Sequence, residues 1–433
     1  MESVKEALLN RHFKKVYSHF FDDSLRRNSV FLLISAGFSA LLGFVFWSIA
    51  AHRYSPSDIG VVTAVIGVAS FIVGLSQLGY VSSLIRFMSD FKNKHHLINT
   101  VLAIVSLIAI VSSLVFIGIS RFVFPKADFI SESLFPAIFF LIYVLASAYA
   151  GILDGIFIAF RTTQYTLARN IATNATKILA IIIIGGGLVG LFYSISIAAL
   201  FGSVVGFFLL WKKYKYIPSR KLTKDVKSMT KFSLVNYLSS GVASAVTALI
   251  PILITWKIGS SNAAFYYIAI SITTLLNLIP SSIARSLFSE SSNKISSLKI
   301  QLVKSIKLIS LIIIPASIIF IVFGKYILLL FGKEYSESAL ICLRLLTLTS
   351  LISVVNYLGD SVLNIQKRLK MYSFVNIFCA VSTIIFIFPL FKYGLTGVGL
   401  GWLFSEIATA LIYLFIFRKN IFTNQQILRA NTK

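Results

Sequence analysis

Residues 212–231 read KKYKYIPSRKLTKDVKSMTK, with eight Lys or Arg in twenty positions. This basic stretch stands between two long apolar territories. Before it lie apolar runs at 28–51, 60–85, 97–120, 134–160, 165–184 and 189–211; after it lie runs at 232–256, 263–288, 308–331, 337–364, 371–391 and 397–417. Each is about 20 residues or longer, the length at which a helix crosses the hydrocarbon core of a bilayer. The linker therefore divides an all-α polytopic membrane protein into two sets of six transmembrane helices, twelve in all. The least uniform run is 165–184, which Arg169 and Lys177 interrupt.

Composition supports this reading. Of 433 residues, 57% are hydrophobic and 13% are charged, against about 25% charged in ordinary soluble domains. A soluble core could not hide that much apolar surface. The net charge of +25 is not gathered on a soluble domain, so nucleic acid is not an expected partner. Cys342 and Cys379 both lie in apolar runs and suggest neither a disulfide framework nor a metal site. The first 27 residues are charged and contain no cleavable apolar region, so no removable signal peptide is expected.

The lysines and arginines also orient the chain. Of 40, 30 fall in the N-terminal tail, the even-numbered connections and the C-terminal tail; 7 fall in the odd-numbered connections; Arg169, Lys177 and Arg344 lie within spans. Basic residues accumulate on the cytoplasmic side, so both termini are expected in the cytoplasm of a multi-pass protein of the cell inner (plasma) membrane. The expected segments are a cytoplasmic amphipathic segment 1–27, an N-lobe 28–211, a basic cytoplasmic linker 212–231, a C-lobe 232–417 and a cytoplasmic tail 418–433. Within 1–27, Leu8, Phe13, Val16, Tyr17, Phe20 and Phe21 share one helical face opposite Arg11, Lys14, Lys15 and His19. That pattern suits a helix lying in the headgroup region.

The two sets of six resemble each other at a nearly fixed offset. Ser35-Ala36-Gly37 matches Ser239-Ser240-Gly241, 204 positions on; Asp154, Arg161 and Asn170 match Asp360, Lys367 and Asn376, 206 on; Gly187-Leu188-Val189-Gly190 matches Gly394-Leu395-Thr396-Gly397, 207 on. Six is even, so both halves enter the membrane with the same polarity. They form a parallel repeat, an architecture of transporters whose halves rock about a central site.

Polar residues inside the spans fall on stripes at helical spacing. One comprises Arg169, Asn170, Thr173, Asn174 and Lys177; a second Thr273, Asn277, Ser281 and Arg285; a third Asn236, Ser239, Ser240, Ser244 and Thr247; a fourth Ser353, Asn356, Asp360 and Asn364. Ionisable groups at this depth cost about 2.5–3.5 kcal/mol each on insertion scales, so they face a protein interior or a watery cavity. The Ser and Thr stripes also suit interhelical hydrogen bonding. Asp154 and Asp360 are candidates for coupling, or for ion pairs with Arg161, Lys367 or a neighbouring helix. Glu406, midway along the last span, is a candidate coupling carboxylate or the partner of a buried base such as Lys177 or Arg344.

The turn Tyr54-Ser55-Pro56-Ser57-Asp58-Ile59-Gly60, then Leu78-Gly79-Tyr80 and Arg86, then Phe331-Gly332-Lys333-Glu334-Tyr335 before Ala339, and the closing Gly394-Leu395-Thr396-Gly397-Val398-Gly399-Leu400-Gly401 together resemble the polysaccharide flippases of the MOP superfamily, the Wzx or RfbX type. The resemblance spans about residues 28–420. It implies a MATE-like fold and the transfer of polyprenyl-diphosphate-linked oligosaccharide between leaflets, for O-antigen, capsule or exopolysaccharide synthesis. It also implies membrane lipid, glycan polymerase and glycosyltransferases as partners, and no cofactor. A diphosphate needs charge-assisted hydrogen bonds. Arg86, Arg169, Lys177 and Arg285, with Asn170, Asn174 and Asn277, are the expected substrate-binding residues.

Within the same fold the alternative is a cation-coupled MATE-like exporter of drugs or metabolites, which would favour a carboxylate-rich cavity. Lipid II flippases resemble the chain too, but typically have fourteen spans. A membrane-embedded polymerase or ligase would need a large external loop, and the longest external connection is 121–133. No nucleotide loop, metal-ligand spacing or Ser-His-Asp set is present, so no enzyme is expected.

Overall fold

The computed structural model describes residues 24–124, 127–219, 221–223, 227–293 and 298–418. The amphipathic pattern of 1–27 falls almost wholly outside them, as does most of the tail 418–433. The described residues are nearly all helical and contain no strand. The long helices are α1 Ser24–Arg53, α2 Pro56–Gln77, α4 Lys94–Val123, α6 Leu134–Ala159, α7 Gln164–Ile183, α8 Gly187–Tyr214, α9 Lys227–Ile258, α10 Ser260–Asn293, α11 Leu298–Leu329, α13 Leu340–Ile365, α14 Leu369–Leu390 and α15 Gly394–Arg418. Short helices α3 Tyr80–Phe87, α5 Phe129–Glu132 and α12 Lys333–Ser338 complete the order.

Among the described residues nine stretches are long and apolar enough to cross a membrane, and one of these, Leu369–Arg418, takes in both α14 and α15. The polar α7 falls outside the nine, and α9 contributes a shorter apolar helix, Ala245–Ile258. The twelve long helices are consistent with the twelve runs. Their outward side chains belong in hydrocarbon: Phe122, Ile183, Leu311 and Phe415 are each more than 70% exposed, a belt that water would not tolerate.

The second run is not one helix. Leu78 (φ 44°) and Gly79 (φ 77°) break it into α2 and α3. Gly79 is required there: a Cβ would stand 2.5 Å from the Ser233 carbonyl oxygen, where Ser83 and Ser233 join hydroxyls at 2.5 Å. The basic linker is also shorter than its charge suggests, since α9 is already helical from Lys227.

The chain forms two compact units. One gathers residues up to Phe46 with Ala69–Tyr237; the other gathers Trp47–Val68 with the residues from Leu238 on. The division cuts through α1, α2 and α9. Packing explains why the first half of α2 belongs with the second unit. Gly60 and Gly67, two turns apart on one face, would place a Cβ 1.7 Å from the Ser260 oxygen and 2.3 Å from the Ala248 oxygen. Only hydrogen at those positions lets the backbones touch, the small-residue contact that membrane helices use in place of a hydrophobic driving force.

The sequence repeat reappears as local geometry. Arg161 (φ 54°) and Lys367 (φ 56°), 206 positions apart, are both left-handed. Thr162 N–H donates to the Phe157 carbonyl (2.8 Å) and Arg368 N–H to the Leu363 carbonyl (2.9 Å). Both are the six-to-one closure of a helix C-terminus. The turn after α6 is thus repeated after α13.

Candidate functional site

In the first unit the polar stripe of α7 meets α6 and α1. Arg169 grips Asp154 with two bonds, Nη2 to Oδ2 at 2.7 Å and Nε to Oδ1 at 3.2 Å. The same Nη2 donates to Asn170 Oδ1 (2.7 Å), and Asn170 Nδ2 donates to Ser35 Oγ (2.8 Å). One network therefore ties three helices together. The planar guanidinium matches a carboxylate edge to edge, and Arg169 is only 6% exposed. Asn174 donates to the Asn170 carbonyl and Thr173 to the Arg169 carbonyl, so both serve their own helix.

Lys177, two turns beyond Arg169, is treated differently. It is half-buried, and its Nζ sits 4.6 Å from the centre of the buried Phe46 ring. An aromatic face attracts a cation without neutralising it. Among the described residues no carboxylate pairs with Lys177.

The second unit holds a cavity of about 340 Å³ whose lining includes Asn277 on α10, Asn356 and Asp360 on α13, Asn376 on α14, and Glu406 and Tyr413 on α15. Asp360 Oδ1 accepts from Asn376 Nδ2 (2.9 Å) and from the Tyr413 hydroxyl (2.5 Å). Glu406 accepts from Asn356 Nδ2. Asn277 Oδ1 and Asn356 Oδ1 are buried without a hydrogen-bond partner. Among the described residues no Lys or Arg lines the cavity.

The two Asp residues matched by sequence thus have unlike surroundings. Asp154 is held by Arg169, whereas the position equivalent to Arg169, 206 on, is Val375, and Asp360 is held by neutral donors. The expected partners Arg161 and Lys367 sit in the turns instead. Among the described residues Glu406 does not pair with Arg344, which is exposed and donates to the Ile321 carbonyl at 3.0 Å. Arg86 is exposed over the Phe87 ring, and Arg285 is exposed with Nε on the Ser281 carbonyl. Neither belongs to the network or lines the cavity. The side chains of Asn236, Ser239, Ser240 and Ser244 lie outside the described ones.

Phe46, Tyr413 and Trp402, which lines the cavity and donates from its indole to the Tyr266 hydroxyl (3.0 Å), were not legible as site residues, because an aromatic in an apolar run carries no periodic signal. Tyr413 reaches Asp360 only because Gly359 has no side chain: a Cβ there would lie 2.5 Å from the Tyr413 ring. Gly359→Ala is expected to cost about 1–3 kcal/mol by overpacking, read as a lowered melting temperature. An unchanged melting temperature would mean that the ring is not held there.

A sequence profile described as "Polysaccharide biosynthesis protein" matches residues 25–289, more than half of the chain. An uncharacterized membrane protein of Methanocaldococcus jannaschii is 23% identical over 415 residues, covering 90% of this chain and 97% of the relative. Among solved structures, an inward-facing multidrug resistance MATE family transporter of the MOP superfamily has a TM-score of 0.69 at 14% identity, covering 88% of this chain and 94% of that one. The lipid II flippase MurJ, in an inward closed conformation, has a TM-score of 0.69 at 16% identity, covering 90% and 87%. A MOP superfamily transporter of Pyrococcus furiosus, whose description speaks of reversed polarity in its binding pocket, has a TM-score of 0.61 at 15% identity, covering 92% and 95%. Identities this low establish the fold alone, while the profile establishes the family. With the helical architecture and the structural repeat already in place, the chain belongs to the polysaccharide biosynthesis protein family and has the MOP-superfamily fold.

Proposed function

We propose that this protein flips a polyprenyl-diphosphate-linked oligosaccharide from the cytoplasmic to the outer leaflet of the plasma membrane by alternating access of its two halves. The observation that carries the reading is Lys177, a half-buried cation in a membrane helix whose charge is met by an aromatic face and by no carboxylate among the described residues. Such a charge is costly at this depth unless it faces the interior or water, and a diphosphate oxygen would complete it. The lipid tail stays in the bilayer while the sugar follows the polar seam of Asn170, Asn174 and Lys177. Arg86, exposed at the end of α3, and Arg285, exposed about two turns before the end of α10, meet the cargo on the cytoplasmic side. Glycosyltransferases would build this cargo and a polymerase would consume it outside. The test is restoration of surface glycan in a cell deprived of its own flippase, with the chain as the sole replacement. No restoration by well-expressed protein, for any lipid-linked glycan offered, would reject the reading.

In the second unit, Glu406 and Asp360 would take the coupling cation, a proton or sodium. Glu406→Gln is expected to abolish the response of transport to an imposed cation gradient in proteoliposomes while leaving the protein folded; an unaltered response would remove Glu406 from coupling. The carboxylate-lined cavity also favours a second reading, cation-coupled export of a cationic metabolite, because about 340 Å³ lies in the range of small-molecule sites. Raised resistance to cationic compounds without glycan restoration would select it.

A further inference from the structure

A second cavity, of about 550 Å³, opens at the C-terminal end of α8 in the first unit and is almost wholly apolar. Val204, Phe207, Phe208 and Trp211 supply one wall at positions i, i+3, i+4 and i+7 of the helix, and Ile217 and Pro218 supply the other. The second wall exists because the chain reverses. Lys215 caps α8 in the left-handed region (φ 53°, ψ 30°). Beyond it Tyr216 is buried, and its hydroxyl donates to Asn99 Oδ1 at 2.6 Å. Burial pushes the Tyr216 hydroxyl up to about 12, so it stays a donor. Asn99 Nδ2 in turn donates to Ser219 Oγ (2.8 Å) and the Lys221 carbonyl (3.3 Å), and Thr223 N–H donates to Thr100 Oγ1 (2.9 Å). The basic linker is thus pinned on α4 from Tyr216 to Thr223. A lipid-facing helix alone offers a convex surface, whereas this one has a fixed facing wall.

The groove has a track leading into it and charge at its rim. Leu200, Phe201, Val204, Phe208 and Trp211 are all exposed on α8, a strip of about 16 Å at 1.5 Å per residue. Lys212 follows Phe208 by one turn. Lys215 follows Trp211, with Nζ 5.9 Å from the indole centre. Both lysines are exposed. From Gly155 to Lys224 the chain has no Asp or Glu, and among the described residues neither lysine is ion-paired. An apolar groove beside two exposed lysines that are not ion-paired among the described residues has the complementarity of a basic lipid pocket.

We infer that this groove binds an anionic phospholipid of the surrounding membrane, one acyl chain lying on Val204, Phe208 and Trp211 and the phosphate on Lys212 and Lys215. The bound lipid fastens the pinned linker to the bilayer. The groove's lining shares no residue with the proposed cargo route.

The full-length chain in nanodiscs, with Trp47, Trp256 and Trp402 replaced by Phe, leaves Trp211 as reporter. Brominated phosphatidylglycerol is expected to quench Trp211 at a mole fraction at least fivefold below that needed with brominated phosphatidylcholine. Lys212→Gln with Lys215→Gln should erase the preference. Leu311→Trp in an otherwise Trp-free chain, on the exposed face of α11, should show none. Native mass spectrometry of the unmodified protein provides a reading free of the Trp replacements: phosphatidylglycerol should remain bound at energies that strip phosphatidylcholine, and the double Gln variant should lose it. Equal behaviour of the two lipids, or a preference that survives loss of both lysines, overturns the inference. Displacement of phosphatidylglycerol by an equal or smaller amount of polyprenyl phosphate overturns it too, by reassigning the groove to the carrier lipid.

Discussion

Arg169→Ala is expected to cut the yield of folded protein severely, with a loss of about 3 kcal/mol or more. The reason is the carboxylate it abandons. Arg169 binds Asp154 with two bonds and is itself buried. Removing the base leaves an uncompensated charge between α6 and α7 and releases Asn170 from a network that reaches Ser35 on α1. Asp154→Asn in the same chain should recover much of the loss, because the charge that needed a partner is gone. Melting temperatures of the wild type, both single variants and the double variant form a cycle that isolates the pair. A double variant no more stable than Arg169→Ala would mean that the ion pair is not what holds these helices. The same folded double variant tests the role of Arg169 toward cargo, since full glycan export from it would confine Arg169 to structure.

Lys177→Ala should do the reverse, leaving stability nearly intact and lowering transport about tenfold to a hundredfold, the worth of one hydrogen bond to a charged group. Its neighbour is Phe46, whose attraction for an ammonium is modest, so little structure depends on it. Lys177→Arg should retain most transport, and Lys177→Met should behave like Ala. Surface glycan per unit of expressed protein is the readout. Full activity of Lys177→Ala at normal expression would remove the residue from the cargo route and take away the main support for an anionic cargo.

The sequence stripes placed residues on the correct helices but could not state their partners. Arg169 and Lys177 are two turns apart on α7 and read alike, as buried bases suited to a diphosphate. The structure separates them, because Asp154 on α6 lies opposite Arg169 and only an aromatic ring lies opposite Lys177. Asp154 and Asp360 read alike for the same reason. A repeat preserves position, and the matched turns at Arg161 and Lys367 keep even their left-handed backbone. It does not preserve charge balance, since the counterpart of Arg169 is Val375. The residues expected to bind substrate include four bases, whereas the described lining of the second unit's cavity has Asp360 and Glu406 and no Lys or Arg.

What the amino-acid order determined unaided was the class of solvent, the all-helical architecture, its internal repetition and the family resemblance. All of these rest on one-dimensional quantities: run length against bilayer thickness, helical period, and spacing along the chain. Only the tertiary structure decided which charges cancel, where Gly60, Gly67 and Gly359 admit close contacts, and that α2 is broken at Leu78 and Gly79. Those depend on distances between residues far apart in sequence, and pairing energy falls off within a few ångströms. No local pattern carries such distances, because packing sets them after the helices have formed.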